Sequence, residues 1–136
     1  MKSWVRMTLG AALVVIASSA AQPAAAQDPV KVGPTIYKVV LENERVRVSE
    51  IHFAPGAKIP MHEHPDHFVY MMSDGKLKLS YPDGHSQEMD VHPGQTVWMN
   101  AETHAGENIG TTDVRGLVVE LKPLPNYSDA GSATQP

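Results

Sequence analysis

His62, His64 and His67 fall within the six-residue run His62-Glu63-His64-Pro65-Asp66-His67, and His104 stands alone downstream in Glu102-Thr103-His104-Ala105-Gly106-Glu107-Asn108. Imidazole is the commonest protein ligand for divalent zinc, copper, iron and nickel, and converging rings hold such an ion without any thiolate. Spacing alone leaves a second reading open, a solvated loop that takes up metal adventitiously. Glu63, Asp66 and Glu102 lie beside these histidines in the chain. A carboxylate there either orients an imidazole, takes a substrate proton or is simply solvated. Arg47 and Arg115 are the candidates for holding an anionic substrate, with cross-strand ion pairs as the alternative.

The elements that must position these side chains read as strands. Val46, Val48, Glu50 and His52 alternate with Arg45, Arg47, Ser49, Ile51 and Phe53, and Leu77 and Leu79 alternate with Lys76, Lys78 and Ser80. A period of two is that of half-buried strands. Pro55-Gly56, Asp74-Gly75, Pro82-Asp83-Gly84 and His92-Pro93-Gly94 punctuate the runs as turns, so the chain is expected to fold as successive hairpins. Val114 to Leu121 forms a closing strand, and no stretch has the length and 3.6-residue period of a clear helix. The fold class is all-β. Alternation turns His62 and His64 to one face and Met61 and Glu63 to the other, and Pro65-Asp66 breaks the parity so that His67 also turns inward. Val69, Met71, Val97, Trp98 and Met99 include the positions expected to line the pocket.

Lys2 and Arg6, an apolar run from Met7 to Ala21 and small residues up to Ala26 have the form of a secretory signal peptide over residues 1–26. The apolar run is shorter than the roughly 20 residues of a spanning helix, so no membrane association is expected after cleavage. The expected location is the bacterial periplasm. Removing 1–26 takes two of the 11 basic residues and none of the 15 acidic ones, leaving a charge of −6, which argues against nucleic acid. The chain has no cysteine, which excludes disulfides and thiolate ligands. Residues 27–34 are expected to be an N-terminal tail, 35–122 the domain, and 123–136 a flexible C-terminal tail.

Gly56, five residues, His62, one residue and His64, with Gly75 beyond, resemble the first motif of the cupin superfamily; Gly94, then His104 and Asn108, resemble the second. The run His-Pro-Asp-His-Phe-Val-Tyr is similar to small single-domain cupins of the cupin_2 type associated with β-alanine degradation. The resemblance implies a jelly-roll β-barrel (double-stranded β-helix) around a pocket, with metal on His62, His64 and His104. It also places His67 where cupins usually carry a glutamate ligand, one residue having been added before Gly75, which gives an all-histidine site. Asn100 and Glu102 depart from the proline and glycine common in the second motif. A homodimer is allowed by the same resemblance, since cupins pair sheets or exchange terminal strands.

Neutral imidazoles leave the ion its full charge, so it polarises a bound oxygen strongly. Ferrous iron is favoured and implies a dioxygenase on a small organic substrate; zinc, manganese or nickel implies a Lewis-acid isomerase or hydrolase. The contrasting class is a non-enzymatic metal or small-ligand binder, including copper handling, to which Met61, Met71, Met72, Met89 and Met99 lend a soft-ligand argument. Methionine filling of the core is the alternative. Tyr70 and Glu102 are the candidate catalytic residues, Tyr70 as a hydrogen-bond donor to a metal-bound group. His85 and His92 sit in turns and are expected to be exposed, and His52 is expected to be packed or at an interface.

Overall fold

A computed structural model describes residues 27–124; the expected signal peptide and nearly all of the expected C-terminal tail lie outside these residues. A single helical turn, α1 (Pro29–Val32), precedes nine strands: β1 (Tyr37–Glu42), β2 (Val46–Phe53), β3 (Lys58–His64), β4 (His67–Met71), β5 (Gly75–Ser80), β6 (Ser86–Val91), β7 (Thr96–Met99), β8 (Glu102–Asn108) and β9 (Val114–Leu121). A five-stranded sheet runs in the order β1-β2-β9-β4-β7, and a four-stranded sheet in the order β3-β8-β5-β6. All strand pairs are antiparallel. The two sheets face each other over the core, the architecture expected of a jelly roll.

Alternation decides which side chains enter that core. On β2, Ser49, Ile51 and Phe53 are buried while Glu50 and His52 are half-exposed. On β5, Leu77 and Leu79 are buried. Ile59, Met71, Val91 and Val114 are among the largest fully buried side chains, each stabilising the fold by about 1.5–3 kcal/mol relative to exposure.

The expectation of successive hairpins is only partly met. Consecutive strands pair directly in β1–β2 and β5–β6, where Gly84 takes φ +91° in the turn. Pro55-Gly56, Asp74-Gly75 and His92-Pro93-Gly94 instead carry the chain from one sheet to the other. Turn chemistry marks where a strand ends, but not which sheet receives the next one. Gly56 and Gly94 do have positive φ, at 77° and 84°. Gly75 does not; a Cβ there would sit 2.3 Å from Val114 Cγ2, so close packing demands the glycine.

Residues 27–34 are not a tail. Asp28 caps α1 by accepting the Val30 N–H at 2.9 Å, and Pro29 suits the first helical turn. The Gln27 carbonyl accepts the Glu63 N–H at 3.1 Å, and Gly33 packs where a Cβ would strike Ile59. The segment braces β3 beside the histidines. Its polar composition suggested disorder, and the long-range contacts that order it have no local sequence signature.

Candidate metal centre

β3 and β8 bring the first histidines together. His62 pairs in register with His104, and His64 with Glu102. A register shift between Ile59 and His62 leaves both Ile59 and His62 facing inward, with Pro60 and Met61 outside. Ring centroids lie 4.8 Å apart for His62 and His64, 4.8 Å for His62 and His104, and 5.3 Å for His64 and His104. One ligand atom from each of these three falls within 4.8 Å of the others.

His67 arrives from the other sheet. The chain leaves β3 at His64, crosses at Pro65-Asp66 and enters β4 at His67. The His67 ring is 4.6 Å from that of His64, and the side chain is buried, but it stands beside the three-histidine group rather than within it.

All four histidines are held the same way. Nδ1 of His62 donates to the Pro60 carbonyl at 2.8 Å, and Nδ1 of His67 to the Pro65 carbonyl at 2.8 Å. Nδ1 of His64 donates to Glu120 Oε1 at 2.6 Å, and Nδ1 of His104 to Glu102 Oε1 at 2.7 Å. Because each partner is an acceptor oxygen, the proton sits on Nδ1 and the lone pair on Nε2. Such outer partners are the usual support of a metal-binding imidazole.

The electrostatics agree with neutral donors. Burial, and then the neighbouring histidines, hold His64 and His104 down to about 3. Burial also lowers His62 and His67, opposed by the acceptors on Nδ1. Among the described residues, His62 Nε2 is the buried side-chain nitrogen or oxygen without a hydrogen-bond partner. A lone pair left unsatisfied in the interior is costly unless a ligand uses it. The donor set therefore fits a divalent cation.

Two residues that sequence reasoning missed complete the centre. Tyr37 on β1 is buried, its hydroxyl 3.5 Å from His64 Nε2 and its ring edge-on to His62. Burial and the nearby Glu120 push that hydroxyl up. Glu120 on β9 is buried at 6% exposure; burial pushes its carboxyl up, against the pull of Arg47. A glutamate amid Val118, Val119 and Leu121 was the available signal, since a charge on an inward position needs a buried partner. No comparable signal marked Tyr37.

Several expected roles change. Tyr70 is 42% exposed on the outer face of β4, where strand parity turns it away from His67, Val69 and Met71. It has no place in the centre. Glu102 lies behind His104 as its acceptor and does not line the cavity, so it is a positioning residue. Glu63 is exposed, and Asp66 accepts the Ala101 N–H at 2.7 Å. Arg47 pairs with Asp28 at 2.8 Å and Glu42 at 3.2 Å, and Arg115 lies 3.8 Å from Glu50; neither lines the cavity. His52 pairs with Asp113, His92 with Asp74, and His85 with Asp83 while stacking on Tyr81.

The histidines form one end of a cavity of about 50 Å³ whose walls include Val69, Met71, Leu77, Leu79, Val97 and Met99. Trp98, expected among the pocket positions, points outward at 54% exposure because it has the opposite parity. Met71, Met89 and Met99 line the cavity, whereas Met61 and Met72 are exposed.

Comparison with known proteins agrees with this architecture. A cupin domain from Bordetella pertussis Tohama I is 31% identical with TM-score 0.60, over 65% of this chain and 93% of that one. A double-stranded β-helix protein from Klebsiella pneumoniae is 24% identical with TM-score 0.54, over 66% and 77%. The polyketide cyclase RemF from Streptomyces resistomycificus is 25% identical with TM-score 0.50, over 65% and 66%. No curated protein matches the sequence. Residues 49–120, more than half of the sequence, match the Cupin_2 family, described as a cupin domain, and the chain belongs to that family.

Proposed function

We propose that the chain is an exported, metal-dependent oxygenase that acts on a small, largely apolar organic compound inside the barrel. The observation that carries the metal is the common tethering of four Nδ1 atoms to acceptor oxygens, which leaves His62 Nε2 buried and unpartnered. Ferrous iron, when bound, supplies activation of dioxygen. His62, His64 and His104 would hold it, with His67 as an adjacent fourth donor from the opposite sheet.

The cavity walls favour redox chemistry over hydrolysis. Among the described residues that line them, the Tyr37 hydroxyl is the one ionisable group besides the histidines, with no carboxylate and no lysine. General acid–base catalysis needs a group within hydrogen-bond reach of the moving proton. The apolar walls would exclude water and accept the hydrocarbon part of a substrate. About 50 Å³ accommodates a few water-sized groups, so a larger molecule has to enter in part or displace side chains. Export rests on residues 1–26, and cleavage after Ala26 would leave Gln27, the residue that braces β3, as the new N-terminus.

A second reading has support from one relative. RemF is a polyketide cyclase, and cyclisation under a Lewis acid would use the Tyr37 hydroxyl as the proton-carrying group beside His64.

Elemental analysis of protein isolated from the periplasm tests the proposal, with oxygen uptake followed on a panel of thiols, phenols and diketones. Iron together with uptake is expected, and a double His62→Ala, His104→Ala variant should lose the metal. Full metal content in that variant would sink the site. Metal with turnover but no oxygen consumption selects the second reading, and copper without turnover makes the chain a metal binder.

A further inference from the structure

A second cleft, of about 440 Å³, lies on the Glu120 side of His64, with walls from α1, β2, the end of β3 and the end of β9. Its bases are committed. Arg47 donates to Asp28 at 2.8 Å and to Glu42 at 3.2 Å, and Lys122 donates to Glu42 at 2.6 Å.

Its acids have capacity to spare. Glu120 uses Oε1 for His64, while Oε2 lies 3.9 Å from Arg47, beyond hydrogen-bond reach, and accepts no hydrogen bond among the described residues. The residue is only 6% exposed, yet this oxygen is not sealed off and faces the cleft that Glu120 lines. Glu63 lines the same cleft and has no ion pair among the described residues.

A carboxylate oxygen so sheltered and so poorly partnered calls for a donor, and a charged donor bonds it more strongly than a neutral one. Pro29, Pro65 and Leu121 supply apolar wall beside it. We propose that this cleft binds a small primary alkylammonium ion, its N–H groups donating to Glu120 Oε2 and Glu63 and its hydrocarbon lying along the prolines and Leu121. An ammonium group offers three donors and no acceptor, which matches the spare oxygens. An anion would have to displace Asp28 or Glu42 from the two bases. A bare metal ion lacks its donors here, because among the described residues the one group of three close enough to enclose a metal is His62, His64 and His104.

Glu120 is shared between this cleft and the metal centre. A donor on Oε2 draws charge from the carboxylate and weakens its hold on the His64 Nδ1–H, and the ammonium repels a divalent ion held by Nε2. Both effects have the same sign, so amine and metal oppose each other's binding by an equal factor. That factor should be about three- to tenfold, a fraction of the cost of losing an outer partner altogether. The coupling rests on the proposed metal; the amine site does not.

Calorimetric titration of the metal-free full chain with n-butylammonium chloride at constant ionic strength tests the site. Saturable binding with a dissociation constant of about 1 mM is expected for so small a ligand. Butyltrimethylammonium, which has no N–H donor, and butyrate should bind at least about tenfold more weakly. Glu120→Gln and Glu63→Gln should each weaken butylammonium by about five- to tenfold. If Glu120→Gln fails to fold, the exposed Glu63→Gln decides. Absence of saturable binding to the wild-type chain overturns the proposal, as does equal binding of either control compound or full affinity in the variants that fold. Zinc competition with a chromogenic chelator, with and without saturating butylammonium, reads the coupling, and an unchanged zinc affinity overturns it. A chain that takes up no zinc refutes the metal centre instead, and the butylammonium titration then decides the cleft alone.

Discussion

Replacing Glu120 separates the task of holding His64 from that of holding the fold together. Glu120 Oε1 accepts the His64 Nδ1–H at 2.6 Å, and both groups are buried. A hydrogen bond to a charged partner contributes about 1.5–3 kcal/mol and a neutral one about 0.5–1.5 kcal/mol. Glu120→Gln keeps shape and acceptor but loses the charge, which removes about 1–1.5 kcal/mol of support for the imidazole. That corresponds to about a five- to twelve-fold loss of metal affinity. Glu120→Ala removes the acceptor entirely and should cost about 10–100-fold. Arg47 retains Asp28 at 2.8 Å and Glu42 at 3.2 Å, so neither variant orphans it. Burial disfavours the Glu120 charge, so the metal-free Glu120→Gln protein should melt at the same temperature as wild type or higher. Zinc affinity by competition with a chromogenic chelator and melting of the metal-free protein by circular dichroism give the two readouts. Affinity unchanged within about twofold in both variants refutes the reasoning. So does a loss of affinity matched by an equal loss of metal-free stability, the mark of a purely structural role.

Acid should destabilise the metal-free protein. His64 and His104 are held near 3 in the folded state against 6.5 as the ordinary value. Between those values the unfolded chain binds more protons, so stability falls as pH drops, by up to about 1.4 kcal/mol per pH unit for each histidine. Urea midpoints that stay constant from neutral pH down through this window contradict the assignment. Gly75→Ala places a Cβ 2.3 Å from Cγ2 of Val114, which is itself fully buried. It should lower stability by about 1–3 kcal/mol, read as a shift of the urea midpoint, and a neutral effect would show that β5 and β9 can separate locally.

What the sequence made legible was local. The period of two on β3 turns His62 and His64 inward, and the break at Pro65-Asp66 returns His67 to the interior. The alternation of Val69 with Met71, and of Val97 with Met99, places them along the cavity. What stayed hidden depended on register between distant strands. Tyr37 and Glu120 sit near opposite ends of the domain; the sheet order β1-β2-β9 brings their strands close, and the facing of the two sheets sets both against His64 on β3. Tyr70 looked chemical by type, and the same parity that buries Met71 exposes it. The glycine turns announced strand ends correctly at Gly56 and Gly94, yet the crossings between sheets could not be read from them.

The arrangement around His64 also sets an order on how the centre comes into being during synthesis. His62, His64 and His67 emerge within six residues of one another, long before the strand that supplies Glu120. β9 pairs with both β2 and β4, so a nascent chain stopped ahead of it lacks the strand that joins them and leaves the His64 Nδ1–H without its acceptor. Long-range closure is the slow part of such a topology. The histidine run is made early and His64 gains its acceptor last, when the final strand seats, so a chain truncated ahead of β9 carries the histidines without the carboxylate that orients one of them.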